Sequence, residues 1–332
     1  MKKTYRVQIF ATLGLLILIL DSKTAVLGAQ EGISLCLRSV IPSLFPFIML
    51  TNLMAGALGG TTAPLLRPLG KVLGIPAGAE GIFLAGILGG YPTGAQVIHE
   101  AWKYNQLSAT EARRMLGFCS NAGPAFLFGM LGPFFSSQKY LWLLWGIHIL
   151  SAIIAGILLP GRNNDTVSTI SSWKPSITGS LKRSVAVIGY VCGWVVLFRV
   201  LFAFCSRWFL WLLPIEAQAA IYGLLELAGG CCSLNLVAEE TLRFVICSGL
   251  LAFGGLCVAM QTASVTGSLG LGQYLPGKLL QTISSLWLSV CIITWGNLYF
   301  IPCLVTLPFL FGIWFFLRKK KNNSSIPVLI GV

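Results

Sequence analysis

The sequence predicts an all-α polytopic membrane protein of about eight transmembrane helices plus two re-entrant helical hairpins, built as an inverted repeat. Three observations predict it. The composition is that of a chain dissolved in lipid: of 332 residues 56% are hydrophobic and only 10% charged, at a mean hydropathy of +0.82. Two apolar segments, residues 77–104 and 215–238, are each interrupted by a glycine pair, Gly89-Gly90 and Gly229-Gly230. The basic residues divide unequally between alternate loops only if those two segments turn back instead of crossing.

The spans follow from hydropathy and the roughly 20 residues a bilayer requires. Residues 1–32 hold an N-terminal span (5–21) and a connection; the start is basic, but the small-residue cleavage site around "AVLGAQ" is weak, which favours an uncleaved span over a signal peptide. Residues 33–160 form a first repeat, with spans at 34–58, 114–135 and 140–160 around the interrupted segment 77–104. The polar stretch 161–183 reads as a cytoplasmic linker. Residues 184–317 form a second, inverted repeat, with spans at 184–205, 242–262, 280–299 and 301–317 around the segment 215–238, and 318–332 is a basic cytoplasmic tail.

With both interrupted segments as hairpins and both termini cytoplasmic, 17 basic residues face the cytoplasm, Lys71, Lys103, Arg113, Arg114 and Lys278 among them, against five on the other side. With both segments crossing, the count is 12 against 10, so the positive-inside rule selects the hairpins. The halves also match each other weakly and in the same order. Arg38-Ser39-Val40 matches Arg183-Ser184-Val185, "AGILGG" (85–90) matches "LELAGG" (225–230), and Cys119-Ser120 matches Cys247-Ser248. Arg38 falls outside and Arg183 inside, so the repeats have opposite orientation, the design in which a solute site forms near the midplane.

Backbone that turns within a bilayer leaves amides and carbonyls that lipid cannot hydrate, so it must pack in protein or line a wet cavity. The expected hairpin tips and hinges are Gly89, Gly90 and Pro92, then Gly123 and Pro124, then Gly229 and Gly230. Beside the first tip, Tyr91, Thr93, Gly94 and Gln96 sit at a helix start whose free amides suit an anion such as a carboxylate. Ser120 and Asn121 precede the helix-breaking Gly123-Pro124 at the same depth, and their counterparts are Ser233, Asn235, Ser248 and Gln261, the last in a polar run expected at a second break. These are the candidate substrate-binding residues.

Glu226 is the one acidic residue deep in an apolar run, which makes it the candidate coupling site for a proton or cation; pairing with Arg199 is the structural alternative. Pro42 and Pro46 kink the second span, and His99 and His148 are isolated packing residues. The ten cysteines lack CxxC spacing and read as small buried hydrophobes, so no metal site and no cofactor is expected. No nucleotide-binding loop, catalytic triad or HExxH is present, which points away from an enzyme. The net charge of +13 lies in short clusters between apolar runs, where topology determinants belong, and not in a nucleic-acid surface. The expected partners are the lipid bilayer, a small anionic solute and a coupling proton or cation; a homo-oligomer stays open.

At "PSLFPF" (42–47), "GGYPTGAQ" (89–96), "SNAGPAFLFG" (120–129) and "LLELAGG" (224–230) the sequence resembles the sporulation integral membrane protein YlbJ family. That family belongs to the wider group carrying the gate domain of concentrative nucleoside transporters and ferrous-iron permeases. The resemblance covers roughly residues 30–315 and implies an inverted-repeat gate-type fold. It also implies a multi-pass protein of the cell membrane or the membrane surrounding the forespore, moving dipicolinic acid toward the forespore late in spore maturation. Two other readings stay open: a nucleoside-type permease, and a non-transporting scaffold or assembly factor whose broken helices bind partner helices.

Overall fold

A computed structural model of the chain describes residues 2–58, 64–161 and 176–295. The expected span at 301–317, the tail 318–332 and most of the linker 161–183 lie outside the described residues. Every described element is helical. Among the described residues, five helices are long and apolar enough to cross a membrane: Ser22–Met54, Gln138–Leu158, Ile177–Trp208, Glu240–Leu269 and Tyr274–Ile293.

The order of elements repeats. After α1 (Lys2–Leu20) and α2 (Ser22–Leu35), a π-turn at Cys36–Val40 leads without interruption into α3 (Ile41–Leu58). Then come α4 (Arg67–Leu73), a hairpin of α5 (Glu80–Gly89) and α6 (Thr93–Lys103), a broken span made of α7 (Ala109–Cys119) and a π-turn at Ala125–Met130, and α8 (Gln138–Leu158). The second half gives α9 (Ile177–Trp208), a hairpin of α10 (Ile215–Leu225) and α11 (Leu227–Ser233), a broken span of α12 (Glu240–Phe253) and α13 (Gly255–Thr266), and α14 (Tyr274–Ile293). Each half therefore reads long helix, hairpin, broken helix, long helix.

Counterparts run antiparallel. Across α3 and α9, Asn52 donates to Ser184 Oγ at 3.1 Å, while further along the same pair of rods Asp21 meets Arg207 at 3.1 Å. Across α8 and α14, Gln281 donates to the His148 carbonyl at 3.3 Å, and Gln273, just before α14, donates to that of Pro160 at 3.5 Å. The two halves are thus related by a reversal of direction.

The second span begins earlier than the expected residue 34. Asp21 caps a helix there, accepting from the Thr24 amide at 3.4 Å, and the next turns pack on α9. A Cβ on Gly28 or Gly32 would lie 2.9 or 2.8 Å from the α9 backbone at Val200 or Val196, so these small residues at a four-residue spacing let the two helices touch. The π-turn falls just before Pro42, which has no N–H for the Arg38 carbonyl.

Both interrupted segments fold back. In the first, a Cβ on Gly94 would sit 3.0 Å from Gly86 Cα, so α5 and α6 lie side by side. The outer ends of both arms meet the same end of the bundle: Arg67 pairs with Glu80 at 2.8 Å and Arg183 with Glu100 at 3.5 Å. The second segment turns at Glu226 and not at Gly229-Gly230, which is a correction to the expected tip. Those glycines lie inside α11, where Gly230 packs directly on Gly223 of α10. Glu226 takes the turn because its backbone is extended (φ −140°, ψ 114°) and its side chain caps the helix that follows.

Three further expectations are corrected. The polar run Gln261–Ser264 is inside α13, and the second helix break comes earlier, at Gly254 and Gly255, with φ of +82° and +81°. Arg114 is not a cytoplasmic loop residue; it is buried and donates to the carbonyls of Leu73 at 2.7 Å and Gly156 at 2.6 Å, tying α4 and α8 to α7. Lys278 is likewise buried inside the bundle.

Candidate functional site

The first hairpin tip, the first helix break and the second tip face one another. Gly90 (φ +74°, ψ −179°) crosses Gly123, and a Cβ on Gly90 would lie 3.0 Å from the Gly123 amide. Only glycine adopts that backbone conformation without strain, and only a hydrogen there lets the tip touch the break. Between the tips lies a cavity of about 40 Å³, room for a few water molecules. Tyr91, Gly123 and Phe126 line it from the first half, Glu226, Ala228 and Gln261 from the second, and Ser43 of α3 and Val191 of α9 close its flank.

Glu226 is buried at the cavity wall. Its two carboxylate oxygens accept from the amides of Ala228 at 2.8 Å and Gly229 at 2.6 Å, satisfying two donors at the start of α11. Arg199, its expected structural partner, pairs instead with Glu31 at 3.4 Å and stacks over the Tyr222 ring.

The first break is held by a polar cluster behind the cavity. The amide of Ala122 donates to His148 Nε2 at 3.0 Å, and Asn121 Nδ2 donates to the Phe118 carbonyl at 2.8 Å. Gln281 Nε2 donates to Asn121 Oδ1 at 3.0 Å, and the Lys278 ammonium donates to Gln281 Oε1 at 2.5 Å, to Tyr91 Oη at 3.1 Å and to the Ser120 carbonyl. Tyr91 Oη in turn donates to the Leu251 carbonyl at 3.2 Å, beside the second break. Backbone groups freed at both breaks therefore find partners in the opposite hairpin tip or in α8 and α14, as groups at membrane depth must.

The remaining candidates are dispersed. Thr93 Oγ1 donates to the Gly89 carbonyl at 3.2 Å inside the tip. At Gly94 the anion-binding face of α6 is closed by protein, because a Cβ there would lie 2.1 Å from the Cys119 carbonyl oxygen. Gln96 donates to Glu100 at 3.2 Å, toward the open end of the hairpin. Pro92 is the N-cap of α6 and Pro124 begins the π-turn after the break. Gln261 donates to Cys257 Sγ at 3.2 Å and reaches the cavity. Ser233 donates to the Gly229 carbonyl at 3.0 Å, Asn235 is exposed at the far end of the second hairpin, and Ser248 donates to Ser289 Oγ at 3.0 Å on α14. The structure brings Tyr91, Ser120, Asn121, Glu226 and Gln261 to the center and leaves Ser233 and Asn235 away from it.

These features define a class: an integral, multi-pass α-helical membrane protein in which two antiparallel units each pair a helical hairpin with a broken helix. Over 139 residues the chain is 31% identical to the sporulation integral membrane protein YlbJ of Bacillus subtilis (strain 168), a stretch covering 40% of this chain and 33% of that protein. The match thus spans about a third of that relative's length. No family model matches the chain, and no solved structure matches it.

Proposed function

We propose that the chain is a sporulation membrane permease that carries a small anionic metabolite, with dipicolinic acid as the solute, by exposing a mid-membrane site alternately to the two sides. The observation that carries this reading is the convergence of both hairpin tips and the first helix break on one small cavity. Hairpins and broken helices of opposite orientation are the parts from which alternating-access sites are made. The similarity to YlbJ supports the sporulation context. In this reading both termini are cytoplasmic, and the membrane is the cell membrane or the one surrounding the forespore. The tips must part for the solute to enter, because a volume of about 40 Å³ holds water but no pyridine ring. Glu226, at the second tip, couples a proton or cation to that opening.

The test is flux. Liposomes containing the purified protein should take up labeled dipicolinate above empty liposomes, with excess unlabeled dipicolinate competing and nucleosides not competing. Competition by nucleosides would move the solute class to nucleosides. No flux of either solute would assign the chain to the scaffold or assembly-factor class.

A further inference from the structure

Lys278 is fully buried in α14, yet none of the ion pairs among the described residues includes it. Three oxygens surround its Nζ instead: Tyr91 Oη, Gln281 Oε1 and the Ser120 carbonyl. Each of them accepts from it. The carbonyl has no hydrogen to give. The Gln281 amide is oriented by its nitrogen, which donates to Asn121 Oδ1 and the His148 carbonyl, and the Asn121 amide is oriented by its own bond to the Phe118 carbonyl. The Tyr91 hydrogen points at the Leu251 carbonyl, which leaves a lone pair toward Nζ. Three acceptors around one nitrogen match the three hydrogens of an ammonium.

The balancing charge comes from the backbone. α7 and α12 enter from opposite ends and both stop at this depth, so the Ser120 carbonyl of one and the Leu251 carbonyl of the other meet at the Tyr91–Lys278 pair. A helix C-terminus carries partial negative charge, and that of α7 presents its Ser120 carbonyl directly to the ammonium while that of α12 acts through the Tyr91 hydroxyl. Carbonyls at half-helix C-termini with a side-chain amide oxygen are the ligand set that broken helices present to a small cation.

We infer that Lys278 is a tethered cation: its ammonium fills a small-cation cage formed by the end of α7, Gln281 of α14 and Tyr91 of the first hairpin tip, and locks that tip in place without a free ion. As far as transport is concerned, the inference rests on the permease reading and adds that solute movement requires no metal ion.

Thermal unfolding of the purified full chain in chloride salts of equal ionic strength tests it. Lys278→Ala should be less stable than wild type in N-methylglucamine and should recover with rising ammonium, methylammonium or Na⁺ along a saturating curve. Lys278→Met, whose side chain fills the cage without charge, should not respond, and wild type should unfold at the same temperature in every salt. The inference falls if Lys278→Ala gains no more from small cations than wild type does, if it cannot be recovered in any of these salts, if Lys278→Met responds equally, or if wild type is itself stabilized by Na⁺. Flux is a separate readout. Uptake that persists on replacing Na⁺ supports transport without a metal ion and leaves the proton as the ion Glu226 couples, whereas absence of flux in every salt removes the permease reading and leaves the salt series to decide the cage.

Discussion

At the scale of single residues, Glu226 and Lys278 show how a buried ionizable side chain can be held without a direct ion pair among the described residues. Each is met by backbone dipoles, Glu226 by amides at the start of α11 and Lys278 by the Ser120 carbonyl at the end of α7, with the Leu251 carbonyl of α12 reached only through Tyr91. Replacing Glu226 by Gln leaves one oxygen for two buried amides. The loss should be about 1–2 kcal/mol, read as a lowered unfolding temperature of a protein that still folds. If Glu226 also couples an ion to transport, the same variant loses the ion dependence of dipicolinate flux; a variant with wild-type ion dependence leaves Glu226 the role of a cap alone. Glu226 was legible in the sequence because an isolated carboxylate stands out in an apolar run. Lys278 was not, since a lysine just after Pro276-Gly277 counts as a loop residue by hydropathy. Its signal is the spacing Lys278, Gln281, Ser285, Ser289, a polar stripe along one face of α14 that is buried throughout.

At the scale of elements, the two hairpins were legible because glycine pairs and charge asymmetry are long-range patterns that survive without coordinates. Their turns were legible less evenly. The first falls where "GGYPTG" puts it, since Gly90 needs a conformation closed to other residues. The second moved to Glu226 because a side-chain cap can fix a turn where no glycine stands, and Gly229-Gly230 serve the close approach of α10 and α11 instead. Gly90→Ala should therefore cost about 1–3 kcal/mol from backbone strain alone, with more from the contact against Gly123, and should loosen the tip on the break. Gly129→Ala is the matched comparison: no atom lies within 4 Å of the added carbon, and its unfolding temperature should stay near wild type. Equal effects of the two substitutions would mean that the tip is not seated on the break.

At the scale of the whole molecule, everything depends on which segments cross. The broken spans, the antiparallel long helices and the ion pairs at the ends of the bundle agree on one arrangement. Lys71, Lys103 and Arg113 lie exposed at one end, where Arg114 binds the carbonyls of Leu73 and Gly156 and the Gln273 amide donates to Arg113 O at 2.8 Å. Lys139 and Glu239 lie exposed at the other, where Ser136 donates to Glu240 at 2.7 Å and Arg243 to the Phe134 carbonyl. A first hairpin that crossed fully would carry Lys103 and Arg113 to the end occupied by Lys139. It would also pull Tyr91 away from Lys278 and strand the carbonyl of Ser120 in lipid, at several kcal/mol for each orphaned group. Single reporter cysteines at positions 71, 103, 113, 139 and 239, in a background without accessible native thiols, distinguish the two arrangements in sealed vesicles. An impermeant maleimide should label the first three from one side and the last two from the other. Labeling of 103 and 113 together with 139 would instead require a full crossing, and would dissolve the cavity, the cage and the symmetry at once.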